Sequence, residues 1–498
     1  MNIDDLTALA KQRGFFWPAA EIYGGASGLY DYGNIGALFK RRWEIVWLSY
    51  FVDTNPDYHL IDGANMLPES PLIHSGHASR FNDVLVGCGK CKTYYRADVL
   101  LADAGAKISE GAGSEEIDKA IRDNKLKCPK CKSIQFMPSK AFNMMLDLHL
   151  GPDKGESGYL RPETAQSAYL NFFREFNILR KQLPLGLAVI GRAYRNEISP
   201  RQGLYRMREL IQAELQIFFD PATWKPDISK VRGRKLNVVL YKKEPAVITV
   251  EDLITKHNIP EFYAYHMALI DAFYKDAIKV PEGKLHFLEK GGDEKAFYNK
   301  VHMDIEVDVE SWGGFKEVGG LHYRGDYDLT QHSKGSKQDL AVLIDGKKVM
   351  PNVLELSFGV DRNLWMLIDV FFKKDEARSV LKIPPFMAPY HAGLFALQKD
   401  EGIDKMVENV HNKLRKSLKV FLDDSGSIGK RYARMDEIGT PFCITVDFDS
   451  ANKQSKEYNT VTVRSRDDKS QVRVKVDELE HFIKEKVAFD PYKVFEFH

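Results

Sequence analysis

Two amphipathic segments joined by a charged loop, in RNEISPRQGLYRMRELIQAELQIFF, most constrain the fold of this chain. In LIQAELQIFF apolar and polar side chains alternate, which is the period-two pattern of a β-strand with Gln212, Glu214 and Gln216 on its polar face. In the preceding AYRNE, the same rule places Arg195 and Glu197 on one face. The pattern predicts paired strands that hold cationic and acidic groups together, as a buried site for a polyanion and an ammonium requires. The alternative is an ordinary hairpin with one solvated face.

A second segment, PNVLELSFGVDR, repeats this alternation and places Glu355 and Ser357 on one face. Gly359 ends the predicted strand, and the following VDRNLWMLIDVFF carries apolar residues at helical spacing. Arg362 is therefore expected in the first turn of a helix, where its guanidinium and the exposed backbone N–H groups both attract phosphate oxygens. The alternative is a surface arginine on a core helix.

Two CxxC pairs contain four of the five cysteines, namely Cys88, Cys91, Cys128 and Cys131. Four thiolates at this spacing predict a tetrahedral, structural zinc site with no open position for water. Disulfides are the alternative, and the reducing conditions of the cytosol disfavour them. Cys443, within FCITVDF, is expected to be a buried core thiol.

Length and charge exclude several classes of protein. At 498 residues, with 44% hydrophobic and 28% charged residues, the chain is long enough for two or three domains with their own cores. The N-terminus lacks the apolar core of a signal peptide, and no run of about 18 apolar residues could span a bilayer, so a cytoplasmic protein without a membrane is expected. A net charge of +1 does not indicate a nucleic-acid partner, but local clusters rather than the sum decide binding.

Together, the two strand segments resemble motifs 2 and 3 of the class II aminoacyl-tRNA synthetases. The helix-like ALFKRRWEIVWLSYFVD, a strand near Tyr58 to Ile61, and the prolines Pro68 and Pro71 are similar to motif 1. Further collinear stretches narrow the resemblance to the glycyl-tRNA synthetases of the archaeal and eukaryotic type. These are GFFWPAAEIYGGASGLYDYG (14–33), GYLRPETAQ (158–166), YRGDYDL (323–329) and DDSGSIGKRYARMDEIGTPFCITVDFD (423–449).

The resemblance implies an α+β catalytic domain over residues 1–386, in which helices flank an antiparallel sheet of six to seven strands. A zinc-ribbon-like insertion over 86–133 and an accessory insertion over about 221–302 would interrupt it. For the second insertion, contact with the tRNA acceptor arm and a solvated accessory module are both open.

Residues 387–498 follow the proline-containing LKIPPFMAPYH and alternate strand-like with helix-like stretches, which predicts a mixed sheet flanked by helices. They resemble the α/β anticodon-binding domain of the glycyl, histidyl, threonyl and prolyl enzymes. Its basic residues are either an RNA-backbone site or a solvated charged face. They are Lys430, Arg431, Arg434, Arg464 and Arg466.

The resemblance also assigns the site residues. The ammonium of glycine would be bound by Glu163, Glu214, Glu355 and Ser357, and its carboxylate by Arg324. As catalytic residues, Arg195 would contact the α-phosphate of ATP and Arg362 the γ-phosphate. The other ATP contacts would come from Glu197, which accepts from the adenine amino group, and from Arg208, Leu210 and Glu317. Magnesium ions would bridge the phosphates, with Glu355 or Glu317 as ligands.

Two positions depart from the family pattern. Leu210 stands where a phenylalanine usually stacks on adenine, and Leu356 stands where motif 3 commonly has a proline. Leucine keeps apolar contact with the base but forfeits aromatic stacking, so the departure concerns ATP affinity rather than the type of reaction.

The implied activity is ATP-dependent activation of glycine and its transfer to the 3′ end of tRNA(Gly), by a homodimer that pairs through motif 1. Because no proteinogenic amino acid is smaller than glycine, an editing domain is not expected. Two alternatives remain open: a threonyl or prolyl enzyme with the same C-terminal domain, and a non-catalytic RNA-binding paralogue. The second is disfavoured because Arg195 and Arg362 are both present.

Overall fold

In the computed structural model of the protein, residues 2–106, 113–152, 155–198, 200, 202–291, 299–374 and 378–494 are described. Parts of the two expected insertions, 107–112 and 292–298, lie outside these ranges. The N-terminal segment contains α1 (Ile3–Gln12), β1 (Phe16–Pro18), β2 (Tyr30–Tyr32), α2 (Asn34–Phe51), β3 (Tyr58–Leu60), β4 (Met66–Pro68), α3 (Glu69–His74) and α4 (His77–Arg80). The cysteine-containing segment contains β5 (Asn82–Gly87), β6 (Tyr94–Arg96), α5 (Ala97–Ala102), α6 (Ser114–Asp123) and β7 (Lys140–Asn143).

The remaining elements fall into two groups. The first comprises β8 (Leu146–Leu150), β9 (Glu156–Leu160), α7 (Ala165–Ile178), β10 (Leu185–Tyr194), β11 (Glu209–Phe219), β12 (Lys235–Val239), β13 (Ala246–Thr249), α8 (Val250–His257), α9 (Glu261–Ala272), β14 (Leu285–Glu289), β15 (Val301–Val309), β16 (Gly314–Gly325), α10 (Tyr327–Ser336), β17 (Val342–Ile344), β18 (Lys347–Val349), β19 (Asn352–Gly359), α11 (Val360–Phe371), β20 (Phe372–Lys374) and β21 (Ser379–Leu381). The second comprises β22 (Ala392–Ala396), α12 (Glu401–Leu414), β23 (Val420–Leu422), α13 (Ile428–Glu437), β24 (Phe442–Val446), α14 (Phe448–Ala451), β25 (Thr460–Ser465), β26 (Gln471–Lys475), α15 (Leu479–Val487) and α16 (Pro491–Val494).

The central sheet has nine strands within the described residues, in the order β13-β12-β14-β15-β16-β19-β11-β10-β3. The six strands from β14 to β10 are antiparallel, which confirms the expected antiparallel core of the sheet. Strand β3 pairs in parallel with β10 at one edge, and β12 pairs in parallel with β14 near the other. The sheet is therefore mixed and larger than the six to seven strands expected.

The extra strands come from the segment 221–302. Strands β12, β13 and β14 extend the sheet through β15, and ten residues of α9 are buried in the same core. A solvated accessory module, one of the alternatives for this segment, therefore does not describe it. Its apolar helix cannot stand alone in water, because a helix that is buried around its circumference needs a core on every side.

Helix α2 packs on one face of the sheet through aromatic side chains. Trp43 and Trp47 are fully buried, and their rings lie 6.4 and 5.9 Å from the ring of Phe358 on β19. Phe51 closes the cluster at 5.1 Å from the same ring. Burial of each such aromatic side chain contributes several kcal/mol, of the order lost on truncation to alanine, about 3–5 kcal/mol. This apolar face leaves the polar side chains of β11 and β19 on the opposite face.

Helix α7 covers part of the opposite face. Phe172 stacks on Phe218 at 4.4 Å between ring centres, while Tyr169 donates hydrogen bonds to Gln216 at 2.8 Å and to Glu355 at 3.2 Å. The polar face of β11 is buried rather than solvated, so the hairpin alternative is excluded. Helix α7 therefore covers one part of this polar face, and none of its residues lines the cavity on the rest of that face.

The C-terminal elements form a mixed five-stranded sheet in the order β23-β22-β24-β25-β26, as the alternation predicted. Three of the five basic residues named above differ from both alternatives. Arg464 pairs with Asp436 through two contacts of 3.0 Å, while Arg431 and Arg466 donate to backbone carbonyl oxygens, and all three are buried. They satisfy internal acceptors, because their strand and helix faces turn towards the domain interior. Lys430 is exposed, and Arg434 is partly exposed beside Asp423.

Among the helices of the described residues, none is both long and apolar enough to cross a bilayer.

Candidate functional site

A polar cavity of about 250 Å³ lies on the face of the central sheet opposite α2. Strands β11, β16 and β19 form its floor, and the segments around α4 and β15 form its sides. Nine of the sequence-predicted residues line it: Glu163, Arg195, Leu210, Glu214, Glu317, Arg324, Glu355, Ser357 and Arg362. The cavity therefore brings together acidic groups and guanidinium groups from segments nearly 200 positions apart.

Glu214 lies directly opposite Ser357 across β11 and β19. Its carboxylate accepts hydrogen bonds from Ser357 at 2.8 Å, Thr164 at 2.6 Å and Gln212 at 2.9 Å. These donors are all uncharged. The pKa of Glu214 is raised to about 8, mainly because the group is buried and further because the carboxylates of Glu355 and Glu163 lie nearby. Among the described residues, no cationic nitrogen lies within 4.0 Å of the Glu214 carboxyl group, so this buried group lacks a compensating charge.

Glu163 and Glu355, by contrast, have cationic partners. Nη1 of Arg324 lies 2.9 Å from Glu355, and Nη2 lies 4.0 Å from Glu163. Burial opposes ionisation of Glu163, but His77 and Arg324 hold its pKa well below the ordinary value. Burial raises the pKa of Glu355, although Arg324 acts in the opposite direction. In this site, Glu163 and Glu355 therefore have cationic partners, whereas the neighbouring Glu214 has neutral ones.

All three guanidinium nitrogens of Arg324 donate to carboxylates. In addition to Glu355, it binds Asp328 through two contacts of 2.8 and 3.0 Å. The side chain is 3% exposed. This geometry leaves Arg324 as the group that fixes the acidic residues, while its expected contact with the glycine carboxylate stays a prediction.

Arg195 and Arg362 reach the cavity from different elements. Arg195 follows the end of β10, donates to the carbonyl oxygen of Pro162 at 3.1 Å and lies 5.5 Å from the ring of Phe81. Within the described residues, no carboxylate lies within 4.0 Å of its guanidinium. Arg362 occupies the first turn of α11, as predicted, and stacks on Tyr205.

Arg362 is held in place by Glu317. Its Nη1 lies 3.0 Å from Glu317 Oε1, and this carboxylate outweighs burial and raises the pKa of Arg362. Glu317 itself is 41% exposed, so it faces both the arginine and the open part of the cavity. The two residues therefore present one cation and one carboxylate to any ligand that enters there.

Glu197 and Arg208 do not line the cavity. Strand β10 ends at Tyr194, and the N–H of Glu197 bonds back to the carbonyl oxygen of Arg195, so the chain turns and the expected common face of Arg195 and Glu197 is wrong. The carboxylate of Glu197 is buried 3.9 Å from Arg206, and its Oε2 accepts no hydrogen bond. Arg208 instead donates to the carbonyl oxygens of Glu197 and Ser27.

A separate cluster is formed by the four cysteines of the CxxC pairs. The four sulfur atoms lie within 4.8 Å of one another, with Cys88 and Cys131 at 3.5 Å and Cys91 and Cys128 at 3.6 Å. Such separations suit four ligands of one tetrahedral ion, because sulfur atoms about 2.3 Å from a zinc ion lie about 3.8 Å apart. Cys443 is free and buried in the C-terminal domain, as expected. The donor set therefore fits a metal ion.

Comparison with known proteins connects these sites to a family. The domain described as "tRNA synthetase class II core domain (G, H, P, S and T)" matches residues 149–371, and the "Anticodon binding domain" matches 391–486. The glycine–tRNA ligase of Pyrococcus furiosus is 35% identical, over 96% of this chain and 98% of its own length. That of Mesoplasma florum is 34% identical, over 97% of this chain and 100% of its own. The chain belongs to the glycine–tRNA ligase family.

The fold of this member of the glycine–tRNA ligase family is shared with synthetases of other specificity. A crystal structure of prolyl-tRNA synthetase from Cryptosporidium parvum, complexed with L-proline and AMP, covers 99% of this chain and 77% of its own, with a TM-score of 0.57 and 13% identity. At that identity the likeness concerns the fold alone. The choice of amino acid within the glycine–tRNA ligase family must therefore be argued from the cavity.

Further residues line the cavity of this glycine–tRNA ligase family member without having been predicted as site residues, and Gln212, Asn299, His302 and His322 are four of them. The even-numbered alternation of β11 included Gln212, but the other three lie on segments whose proximity depends on strand pairing. His302 and His322 are direct partners across β15 and β16, and His322 is the partner of Glu355 across β16 and β19. For His322, the sequence offered one local signal: in GGLHYR it alternates with Leu321 and Tyr323 and so lies on the opposite strand face from them.

Proposed function

We propose that this chain activates glycine with ATP as an enzyme-bound glycyl adenylate, releases pyrophosphate, and transfers the glycyl group to the 3′ end of tRNA(Gly). The observation that carries the proposal is the convergence of several acidic side chains and three guanidinium groups on one cavity. Family membership supports the choice of amino acid and tRNA. In this reading, glycine and the phosphates of ATP share the cavity.

Glu214 receives the ammonium of glycine. Its three donors are neutral, so a bound ammonium would supply the missing cation and return the carboxyl group to its ionised form. Glu163 and Glu355 surround the same region but are already compensated by Arg324 and, for Glu163, by His77. We propose that Arg324 positions these carboxylates, and that its expected contact with the glycine carboxylate would require it to exchange one of its present partners, Asp328 or Glu355.

Arg195 receives the α-phosphate. Because no described carboxylate neutralises it, its full charge is available to the phosphoryl oxygens. A glycine carboxylate oxygen forms a bond to the α-phosphorus, and the bond from that phosphorus to the bridging oxygen breaks, so that pyrophosphate leaves with the electron pair. Arg195 stabilises the charge that builds on the non-bridging oxygens, and its fixed position reduces the cost of orientation.

Arg362 receives the γ-phosphate from the first turn of α11. Leu210 is placed to cover one face of adenine by apolar contact. Glu197 and Arg208 would have to reorient to reach ATP, so their assignment as ATP ligands rests on the resemblance alone. In the second step, the oxygen of the terminal ribose hydroxyl of the tRNA bonds to the glycyl carbonyl carbon. The bond from that carbon to the phosphate oxygen breaks, and AMP leaves with the electron pair and takes up the hydroxyl proton.

Glu317 is the better candidate to hold Mg²⁺. It is a partly exposed carboxylate at the cavity, whereas Glu355 already accepts from Arg324, Gln216 and Tyr169. Oxygen donors of this kind suit a hard cation. A magnesium ion would neutralise phosphate charge, and Glu317 together with Arg362 would orient the phosphate tail.

Cys88, Cys91, Cys128 and Cys131 would hold a structural Zn²⁺ that ties the two knuckles together. The proposal also includes a domain boundary near residue 386, a homodimer that forms through α2, and a cytoplasmic location. These rest on the resemblance of the sequence to the synthetases described above.

Amino-acid-dependent ATP–pyrophosphate exchange tests the function directly. With a panel of twenty amino acids, we expect exchange with glycine and at most weak exchange with alanine, serine, threonine and proline. Strong exchange with threonine or proline and none with glycine would overturn the specificity. If no amino acid supports exchange while tRNA still binds, the chain is a binding protein rather than a ligase.

A further inference from the structure

The imidazole of His322 lies on the floor of the cavity, beside the acidic residues. His322 pairs with Glu355 across β16 and β19, and Gly320, two positions earlier on the same face, pairs with Ser357. Ser357 in turn pairs with Glu214. Cross-strand partners project to the same face with Cβ atoms about 4.5–5.5 Å apart. The ring is therefore one or two strand spacings from the proposed ammonium site.

The ring leans over Gly320 rather than standing upright. A Cβ atom at Gly320 would lie only 2.4 Å from Nε2 of His322 and 3.0 Å from its Cε1. Those separations are far below van der Waals contact, so the ring fills the space that a side chain at position 320 would occupy. Because Gly320 lies opposite Ser357, the ring closes the cavity beside Ser357, on the side away from Glu214.

The ring is also held from two sides. Its Nδ1 lies 3.3 Å from Nδ2 of Asn299, and His302 packs against it with ring centres 4.2 Å apart. Its Nε2 lies 3.7 Å from Glu355. A side chain locked by such contacts cannot move aside without losing them, so the space it fills is not readily given to a ligand.

We infer that His322 is the steric wall that excludes amino acids with a side chain from the glycine subsite. The inference rests on the proposed function and names the residue that enforces its selectivity. Glu214 would hold the ammonium on one side of Ser357, and the imidazole would stand where a Cβ substituent requires room. The pKa of His322 lies well below its ordinary value, mainly because the ring is buried and further because His302 and Arg324 lie nearby. The imidazole is therefore uncharged near neutral pH and does not repel the ammonium.

The experiment compares alanine and glycine in ATP–pyrophosphate exchange, with the unsubstituted enzyme, H322A, H322N and H322F. For H322A, we expect the ratio of kcat/KM for alanine over glycine to rise at least about 10-fold, as expected when a pocket gains room for a methyl group. H322N should give a smaller rise, because asparagine fills part of the space. H322F keeps the bulk without the nitrogen atoms, and its ratio should stay near that of the unsubstituted enzyme.

His286→Ala is the matched control. This imidazole lies on β14 of the same sheet, stacks on Phe315 at 4.0 Å and pairs with Glu306, but it does not line the cavity. Its removal should leave the alanine-to-glycine ratio unchanged. If H322A and H322N both keep the original ratio, or both lose exchange with glycine and alanine alike, His322 is not a wall and the inference is overturned. If the unsubstituted enzyme lacks glycine exchange, the proposed function itself fails.

Discussion

Ser357 on β19 faces Glu214 on β11, and its hydroxyl donates a hydrogen bond to the Glu214 carboxylate at 2.8 Å. Thr164 and Gln212 supply the other hydrogen bonds to this carboxylate, and neither carries a charge. A carboxyl group in these surroundings is solvated by dipoles but not neutralised. Its protonation should therefore respond both to pH and to a bound ammonium.

The first prediction concerns pH. The pKa of Glu214 is raised from 4.5 to about 8, so between these values the folded protein keeps a proton that the unfolded chain has released. Stability from this group is therefore complete below pH 4.5 and declines as the pH rises towards 8. We expect Glu214→Gln to lose less stability than the unsubstituted protein between about pH 6 and pH 8.5. Urea midpoints at the two pH values measure this, and equal losses in both proteins would contradict it.

The second prediction concerns Arg195. Arg195→Ala should lower the rate of glycine-dependent pyrophosphate exchange by about 10²–10³-fold, since it removes a cation from the phosphoryl group in the transition state. Arg192→Ala is the control, because Arg192 lies on the same strand end but is 59% exposed and pairs with Glu209. Steady-state exchange kinetics distinguish the two. Similar rates for both variants would exclude Arg195 from the chemical step.

The third prediction concerns the buried charges around Arg324. Arg324→Met leaves Glu355 and Asp328 without their cation in a buried environment, which should cost about 3–5 kcal/mol of unfolding free energy. Lys405→Met removes one partner of an exposed pair with Glu401 and should cost at most about 1 kcal/mol. Urea unfolding followed by tryptophan fluorescence reports both values. A cost below about 1 kcal/mol for Arg324→Met would show that the network contributes little.

The fourth prediction concerns metal content. Elemental analysis should find one zinc ion per chain, and Cys128→Ala should lose it, because three thiolates bind less tightly than four. Removal of zinc should expose the segment 86–133 to proteases first. Cys443→Ala is the control, since this buried thiol lies outside the cluster, and its zinc content should be unchanged. A zinc-free unsubstituted protein, purified without chelator, would refute the metal site.

Local pattern was sufficient for much of the site. Alternation predicted that Glu214 and Ser357 lie on polar strand faces, and Arg362 in the first turn of a helix, because pleat and helical period depend on neighbouring residues only. The spacing within each CxxC pair predicted the cysteine cluster, because four thiolates in two such pairs are typical of one tetrahedral metal site. Alternation failed at Glu197, where a turn after Tyr194 interrupts the strand and directs the carboxylate away from the cavity.

The amino-acid sequence by itself determined which side chains share a face, which cysteines can share an ion, and to which family the collinear segments are similar. Tertiary structure alone decided that Arg324 is occupied by carboxylates, that the segment 221–302 extends the main sheet, and that His322 leans over Gly320 beside the acidic residues. The physical reason is the range of the interactions. A side chain's direction follows from its own backbone, whereas its partners depend on strand register and packing between segments far apart in the chain.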